Sequence, residues 1–306
     1  MLLTIFSSVL APLILVAGAA YLLGRTNRLD PTPLAQVAFY LFNPCLVFVN
    51  LATTAIAFDL LGRLALLKLL LYAVMALLTF LIAARLKLSA PVRSGFLLAV
   101  LFANSGNFGL PVNEFAFGKD AVALALICYV TDNLLVNTLG VYLAARGRAN
   151  ARYAVGQVFG NPAIYAIPLG LVANRLGWVI PIPLARALDM ASRATVPTML
   201  VVLGMQLAVL SRSSQAPSER YWRLAGVASV LRLVVTPLIA VALAAPLGLT
   251  GMARQVGIVQ SAVPSAVTAS IVASRYDTEP NLVASAVLVS SLASLVTVTI
   301  LLSLLS

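Results

Sequence analysis

Asn104-Ser105-Gly106-Asn107-Phe108-Gly109-Leu110-Pro111 interrupts an apolar run from Ser94 to Asn113, and Gln260-Ser261-Ala262-Val263-Pro264-Ser265 interrupts another from Gln255 to Ser274. In a soluble protein both would read as loops. Here they lie inside segments long enough to cross lipid, since a span needs roughly 20 apolar residues for about 30 Å of hydrocarbon. Proline removes a backbone donor and clashes with the turn before it, while glycine and asparagine tolerate unwound backbone, so both helices are expected to break near mid-membrane. Such backbone survives at that depth only where protein or a water-filled cavity satisfies it, and half-helix N-termini then turn partial positive charge inward. That environment suits an anion. Asn104, Ser105, Asn107, Gln260, Ser261 and Ser265 flank Gly109, Pro111 and Pro264, and their side chains can donate to a carboxylate or complete a sodium shell.

The rest of the chain agrees. Of 306 residues, 61% are hydrophobic and 9% charged, with a mean hydropathy of +1.03; soluble domains carry roughly a quarter charged residues. The formal net charge of +11 would otherwise point to nucleic acid, but the basic residues are scattered singly between apolar runs and read as a topology signal. Histidine is absent, and Cys45 and Cys128 each sit in an apolar run, which removes Ser-His-Asp triads, His-ligated zinc and a disulfide framework. With so few acids, no acid–base or metal constellation converges, which argues against an enzyme. The first run is too long for a secretory h-region and reads as the first span.

Ten spans qualify. Seven are uncharged: Met1 to Gly24, Pro31 to Phe58, Ser94 to Asn113, Tyr153 to Asn174, Ala194 to Ser211, Gln255 to Ser274 and Pro280 to Ser306. Three carry one charge each: Leu64 to Ala84 (Lys68), Ala121 to Ala145 (Asp132) and Leu224 to Ala253 (Arg232). Odd-numbered connections hold twelve Lys and Arg, even-numbered ones six if Lys68 is counted with its nearest loop, so both termini are expected outside the cytoplasm. Pro12, Pro31 and Pro33 recur 150 residues later as Pro162, Pro181 and Pro183, and Pro44 and Pro111 recur after 153 as Pro197 and Pro264. Such matches mark an internal repeat: residues 1–145 and 153–306, joined by a basic cytoplasmic linker at 146–152. Five spans per half force the second copy to enter the membrane inverted, the architecture of many secondary transporters.

Asp132 lies mid-span, followed by Asn133 and, one turn on, Asn137. A carboxylate at this depth reads either as part of an ion or proton pathway or as one half of a buried pair with Arg193 or Arg232. Glu114, Lys68 and Arg254 lie nearer span ends and read as snorkelling side chains. Pro12, Pro44, Pro162 and Pro197 read as kinks packed by neighbours.

Gly24-Arg25 with Leu29-Asp30, Asn43-Pro44, Asn104 to Pro111, Asn161-Pro162, Leu203-Gly204 before Gln206-Leu207, and Val263 to Tyr276 together resemble the auxin efflux carrier family over nearly the whole chain. The resemblance is to bacterial-type relatives of the plant PIN carriers, within the bile acid/arsenite/riboflavin transporter-like group. It implies an all-α integral membrane fold of ten transmembrane helices in two inverted five-helix repeats, similar to bile-acid symporters and NhaA-type antiporters, with the broken helices crossing at Pro111 and Pro264. It further implies a homodimer, a scaffold of spans one, two, six and seven, and a bundle of the remaining six that moves as an elevator. Family substrates are small carboxylates, auxin in plants and malate or malonate in bacteria, and Asn104 and Asn133 match the family's substrate-facing asparagines. The long hydrophilic loop of the plant carriers is missing, and Asp132 stands where they have a neutral glutamine, which favours cation coupling.

The expectation is a secondary carrier of a small organic anion in a bacterial-type inner membrane. Its substrate site comprises Asn104, Ser105, Asn107, Asn133, Asn137, Gln260, Ser261 and Ser265, and its crossover Gly109, Pro111 and Pro264. Asp132 serves H+ or Na+ coupling, with no other cofactor. A sodium-coupled symporter of the bile-acid type and, more remotely, a gated anion channel are the rivals.

Overall fold

The computed structural model describes residues 2–54, 58–140, 143, 160–213 and 218–305; the expected linker at 146–152, the end of the fifth span and the start of the sixth lie outside them. In chain order the helices are α1 (Leu2–Thr26), α2 (Thr32–Thr53), α3 (Phe58–Arg85), α4 (Ala90–Leu101), α5 (Leu110–Phe117), α6 (Lys119–Gly140), α7 (Ala163–Arg175), α8 (Ile182–Ser213), α9 (Glu219–Ala244), α10 (Gly251–Ser261), α11 (Val267–Arg275) and α12 (Pro280–Leu305). Among the described residues, seven of them (α1, α2, α3, α6, α8, α9 and α12) are long and apolar enough to cross a membrane. Leucines such as Leu15, Leu77, Leu169, Leu238 and Leu292 are exposed on the outside, as suits a surface solvated by lipid tails.

Prolines shape these helices in two ways. Pro12, Pro44, Pro111 and Pro237 each lie two residues beyond a five-residue π-helical turn, at Phe6–Leu10, Ala38–Phe42, Ser105–Gly109 and Leu231–Val235. The wider turn shifts the carbonyl ladder and makes room for the ring, so the helix bends without breaking. Pro111 is therefore not the break expected of it: it sits in the first turn of α5, where a missing N–H costs little. The chain is instead extended at Phe102, upstream of the π-turn. Pro264 does lie in a true interruption, between Ser261 and Val267.

Two helix boundaries also differ from expectation. The eighth span ends at Ala244 and not Ala253, because the apolar turn Ala245-Pro246-Leu247-Gly248 separates α9 from α10; Gly248 takes a positive φ of 64°, and Arg63 donates to the Leu247 and Gly248 carbonyls. The seventh begins at Ile182 and not Ala194, its polar first turns carrying an Asp189–Arg193 pair at 2.8 Å.

Helix packing falls into two groups. α8 runs along α1 and α2, and α7 lies on α2. A Cβ at Gly204 would come within 2.1 Å of the Ala17 carbonyl, so only glycine permits this approach of α8 to α1. The remaining helices pack on one another, α3 on α4 and α6, α9 on α4 and α12, and α10 on α6 and α9. Between the groups lies an apolar layer, with Leu10, Leu13, Leu200 and Leu203 against Phe108, Val112, Val263 and Val287.

Candidate functional site

The two interrupted helices meet. Asn104 N–H donates to the Pro264 carbonyl at 2.8 Å, and Ala266 N–H to the Phe102 carbonyl at 2.8 Å, forming an antiparallel bridge between Ala103 and Ser265. Each break thus satisfies the backbone that the other exposes, as lipid requires. Side chains complete it: Ser265 Oγ donates to the Ala99 carbonyl at 2.7 Å, Ser290 Oγ accepts from Ser265 N–H at 3.0 Å, and Ser261 Oγ donates to the Gly257 carbonyl at 2.7 Å. The Ser261 and Ser265 hydroxyl protons are therefore engaged by backbone. Gln260 Nε2 reaches the Ser105 and Ala125 carbonyls at 3.5 and 3.4 Å, with its amide packed on Gly109.

Charge surrounds the C-terminal end of α10. Lys68 Nζ lies 3.0 Å from Asp132 Oδ1 and 3.3 Å from the Gln260 carbonyl, while Arg232 Nε donates to Val263 at 3.0 Å and its Nη2 to Ser261 at 3.3 Å. Carbonyls orphaned where α10 stops are thus capped by two cations, the charge sign that a helix C-terminus favours. Lys68 and Asp132 are each 2% exposed, so Lys68 is a buried partner and not a snorkelling one, and it, not Arg193 or Arg232, forms the ion pair with Asp132. Arg193 is largely exposed and pairs with Asp189. The hydroxyls of Ser105 and Tyr72 sit beside Asp132. Lys68, Tyr72 and Arg232 border a void of only about 10 Å³, roughly the least that holds one water.

Amides form a second cluster on the adjoining face of α6. Asn137 Nδ2 donates to Asn133 Oδ1 at 2.7 Å, Asn133 Nδ2 to the Tyr129 hydroxyl at 3.2 Å, and Asn43 Nδ2 to the same hydroxyl at 3.1 Å. The Tyr129 ring lies against Gly106, where a Cβ would come within 2.7 Å of it. Asn107 Nδ2 donates to Gln206 Oε1 at 3.3 Å, and the buried Asn104 Nδ2 has no hydrogen-bond partner among the described residues. The structure thus gathers the expected Asn104, Ser105, Asn107, Asn133 and Asn137 around the first break, and places Gln260, Ser261 and Ser265 in the framework of the crossing. Asn43, Lys68, Tyr129 and Gln206 join the site without having been singled out for it. Lys68 carried a signal, being one of three lone charges in apolar spans and opposite in sign to Asp132; Asn43 and Gln206 stood in the motifs that carry the resemblance and Tyr129 lies one turn before Asn133, but nothing in the sequence showed which partners they meet.

A crevice of about 1030 Å³ opens between the two helix groups. Leu46, Asn50, Val196 and Leu200 form one wall, Leu124 and Phe115 the other, and Glu114, Lys119, Asp120, Asp189 and Arg193 add charge.

Comparison with known proteins accords with this architecture. Residues 5–156 and 148–302 match the membrane transport protein family. The chain is 29% identical over 295 residues to an uncharacterized transporter of Methanothermobacter thermautotrophicus, covering 93% of this chain and 92% of that one. It is 25% identical over 216 residues to an uncharacterized transporter of Methanocaldococcus jannaschii, covering 69% and 68%. It is also 30% identical over 139 residues to the probable auxin efflux carrier component 1b of Oryza sativa subsp. japonica, covering 44% of this chain and 24% of the plant protein. With apolar helices that can cross a bilayer, a crossing of broken helices in its core and the family match over nearly its whole length, the chain belongs to the auxin efflux carrier family of membrane transport proteins, a family of transporters and not of enzymes.

Proposed function

We propose that this transporter is a secondary carrier of a small organic anion, a carboxylate of the size of malate, malonate or an auxin-like acid. The observation that carries this reading is the crossing itself: the buried, unpartnered amide of Asn104 stands where the two interrupted helices meet, beside two buried cations and one buried carboxylate. Lys68 and Arg232 against Asp132 leave one positive charge in excess, and in a low-dielectric interior an anion is the natural complement. Asn104, Asn107 and Asn133 are the donors for the carboxylate, with Ser105 and Asn137 behind them.

The fold is read as ten passes in two inverted halves, 1–145 and 153–306. Scaffold α1, α2, α7 and α8 stays fixed while the other helices slide as an elevator, in a homodimer within a bacterial-type inner membrane. Moving Lys68 out of the loop tally leaves twelve basic residues against five, which supports termini outside the cytoplasm. On that topology the crevice beside Glu114 and Arg193 opens to the non-cytoplasmic side. Asp132 is the coupling residue, and the geometry favours a proton over sodium, because the Lys68 ammonium already stands where a metal ion would face the carboxylate.

Thermal stability of the purified protein, titrated with malate, malonate and indole-3-acetate with and without sodium at two pH values, tests the reading. A ligand at a hundred times its Kd adds about 2.7 kcal/mol to stability, and Asn133→Ala should erase that gain. No stabilisation by any small carboxylate, or full stabilisation of Asn133→Ala, would reject the assignment; a gain that requires sodium would favour the bile-acid-type symporter.

A further inference from the structure

Two hydrogen bonds that join the scaffold to the bundle both end on the candidate site. Asn43 of α2 donates to Tyr129 of α6, and Asn107, in the π-turn before α5, donates to Gln206 of α8. Several other long-range side-chain bonds stay within one group. Tyr21–Ser211, Asn174 to the Ala52 and Thr54 carbonyls, and Thr195 to the Phe42 carbonyl lie in the scaffold. Arg63, Lys68, Arg232, Ser265 and Gln255 bond within the bundle. The pairs Asp59–Arg63, Lys68–Asp132, Asp189–Arg193 and Glu219–Arg223 likewise stay within one group. Where Leu10, Leu13, Leu200 and Leu203 meet Phe108, Val112, Val263 and Val287 the boundary is apolar, and apolar contacts do not distinguish one register of sliding from another as a directional bond does.

We propose that Asn43 and Gln206 are the scaffold's positioning residues: they hold Tyr129 and Asn107 in this register, and both bonds must open before the bundle can move. Tyr129 transmits its hold to Asn133 through the hydroxyl that both amides share, and Asn137 fixes Asn133 from the next turn. The inference rests on the elevator reading above.

Spin labels at Phe115→Cys on α5 and Met190→Cys on α8, in a Cys45→Ala/Cys128→Ala background, report the distance across the crevice in liposomes without added anion. Both label positions are exposed. Otherwise unaltered protein should show one dominant distance. Tyr129→Phe and Gln206→Leu should each raise the population of a second distance about five-fold, and roughly twenty-five-fold together, the effect of about one net hydrogen bond apiece. If Tyr129→Phe does not fold, Asn43→Ala opens the same bond from the scaffold side and carries the same expectation. Two distances whose ratio no substitution alters would overturn the proposal and leave the elevator standing. A single unchanged distance in every protein would remove both.

Discussion

Lys68 and Asp132 stand in different helices, each 2% exposed and so shielded from bulk solvent. Removing one partner of a buried pair strands the other, at about 3–5 kcal/mol, whereas replacing both by apolar groups of similar volume is often neutral. Lys68→Met should therefore lower stability by about 3–5 kcal/mol in chemical denaturation from detergent micelles, and Lys68→Met/Asp132→Leu should recover most of it. A double variant as unstable as the single one would show that Lys68 acts chiefly on the Gln260 carbonyl. At this scale the sequence displayed the unusual residues and hid their partners. Asp132 was conspicuous as a carboxylate in an apolar run, but its partner depended on how α3 turns toward α6. Asn43 and Gln206 stood in recognisable motifs, but only the fold brings them to Tyr129 and Asn107.

Among the helices, prolines do two jobs that composition does not separate. Pro111 follows a π-turn like Pro12, Pro44 and Pro237, whereas Pro264 lies in extended backbone and lends its carbonyl to Asn104. Pro264→Ala places a new N–H in the interruption and lets helix propagate through it; Pro111→Ala only returns a donor to a first helical turn. Proteoliposome uptake should fall much further in Pro264→Ala than its yield does, while Pro111→Ala should stay within about two-fold of the parent, less than 1 kcal/mol. Equal losses would contradict the distinction. Span existence was legible because lipid demands long apolar runs, but boundaries were not. The turn after α9 is as hydrophobic as the helices it joins, and the first turns of α8 are as polar as a loop. The crossing was expected at Pro111 and lies upstream at Phe102–Asn104, since the sequence marks the proline and not the extended residues before it.

Across the molecule, one group of helices locked by the Gly204 contact faces another locked by the crossing, with an apolar layer and the Asn43–Tyr129 and Asn107–Gln206 bonds between them. On the proposed elevator, if loading with anion draws Asn107 and Tyr129 away from the scaffold, the loaded bundle crosses more readily than the empty one. Counterflow of labelled substrate into preloaded proteoliposomes should then outpace net uptake into empty ones, and the difference should shrink in Gln206→Leu. Equal rates in the parent protein would rule this out.

On the proposed elevator, the crevice beside Leu46, Val196 and Leu124 lies between parts that change their spacing at each turnover. At about 1030 Å³ it could lodge a compound larger than any small carboxylate. A rigid, mostly apolar wedge seated there would jam the carrier without resembling its cargo. Its inhibition should lower maximal flux while leaving half-saturation unchanged, a pharmacology set by the joint and not by the anion pocket.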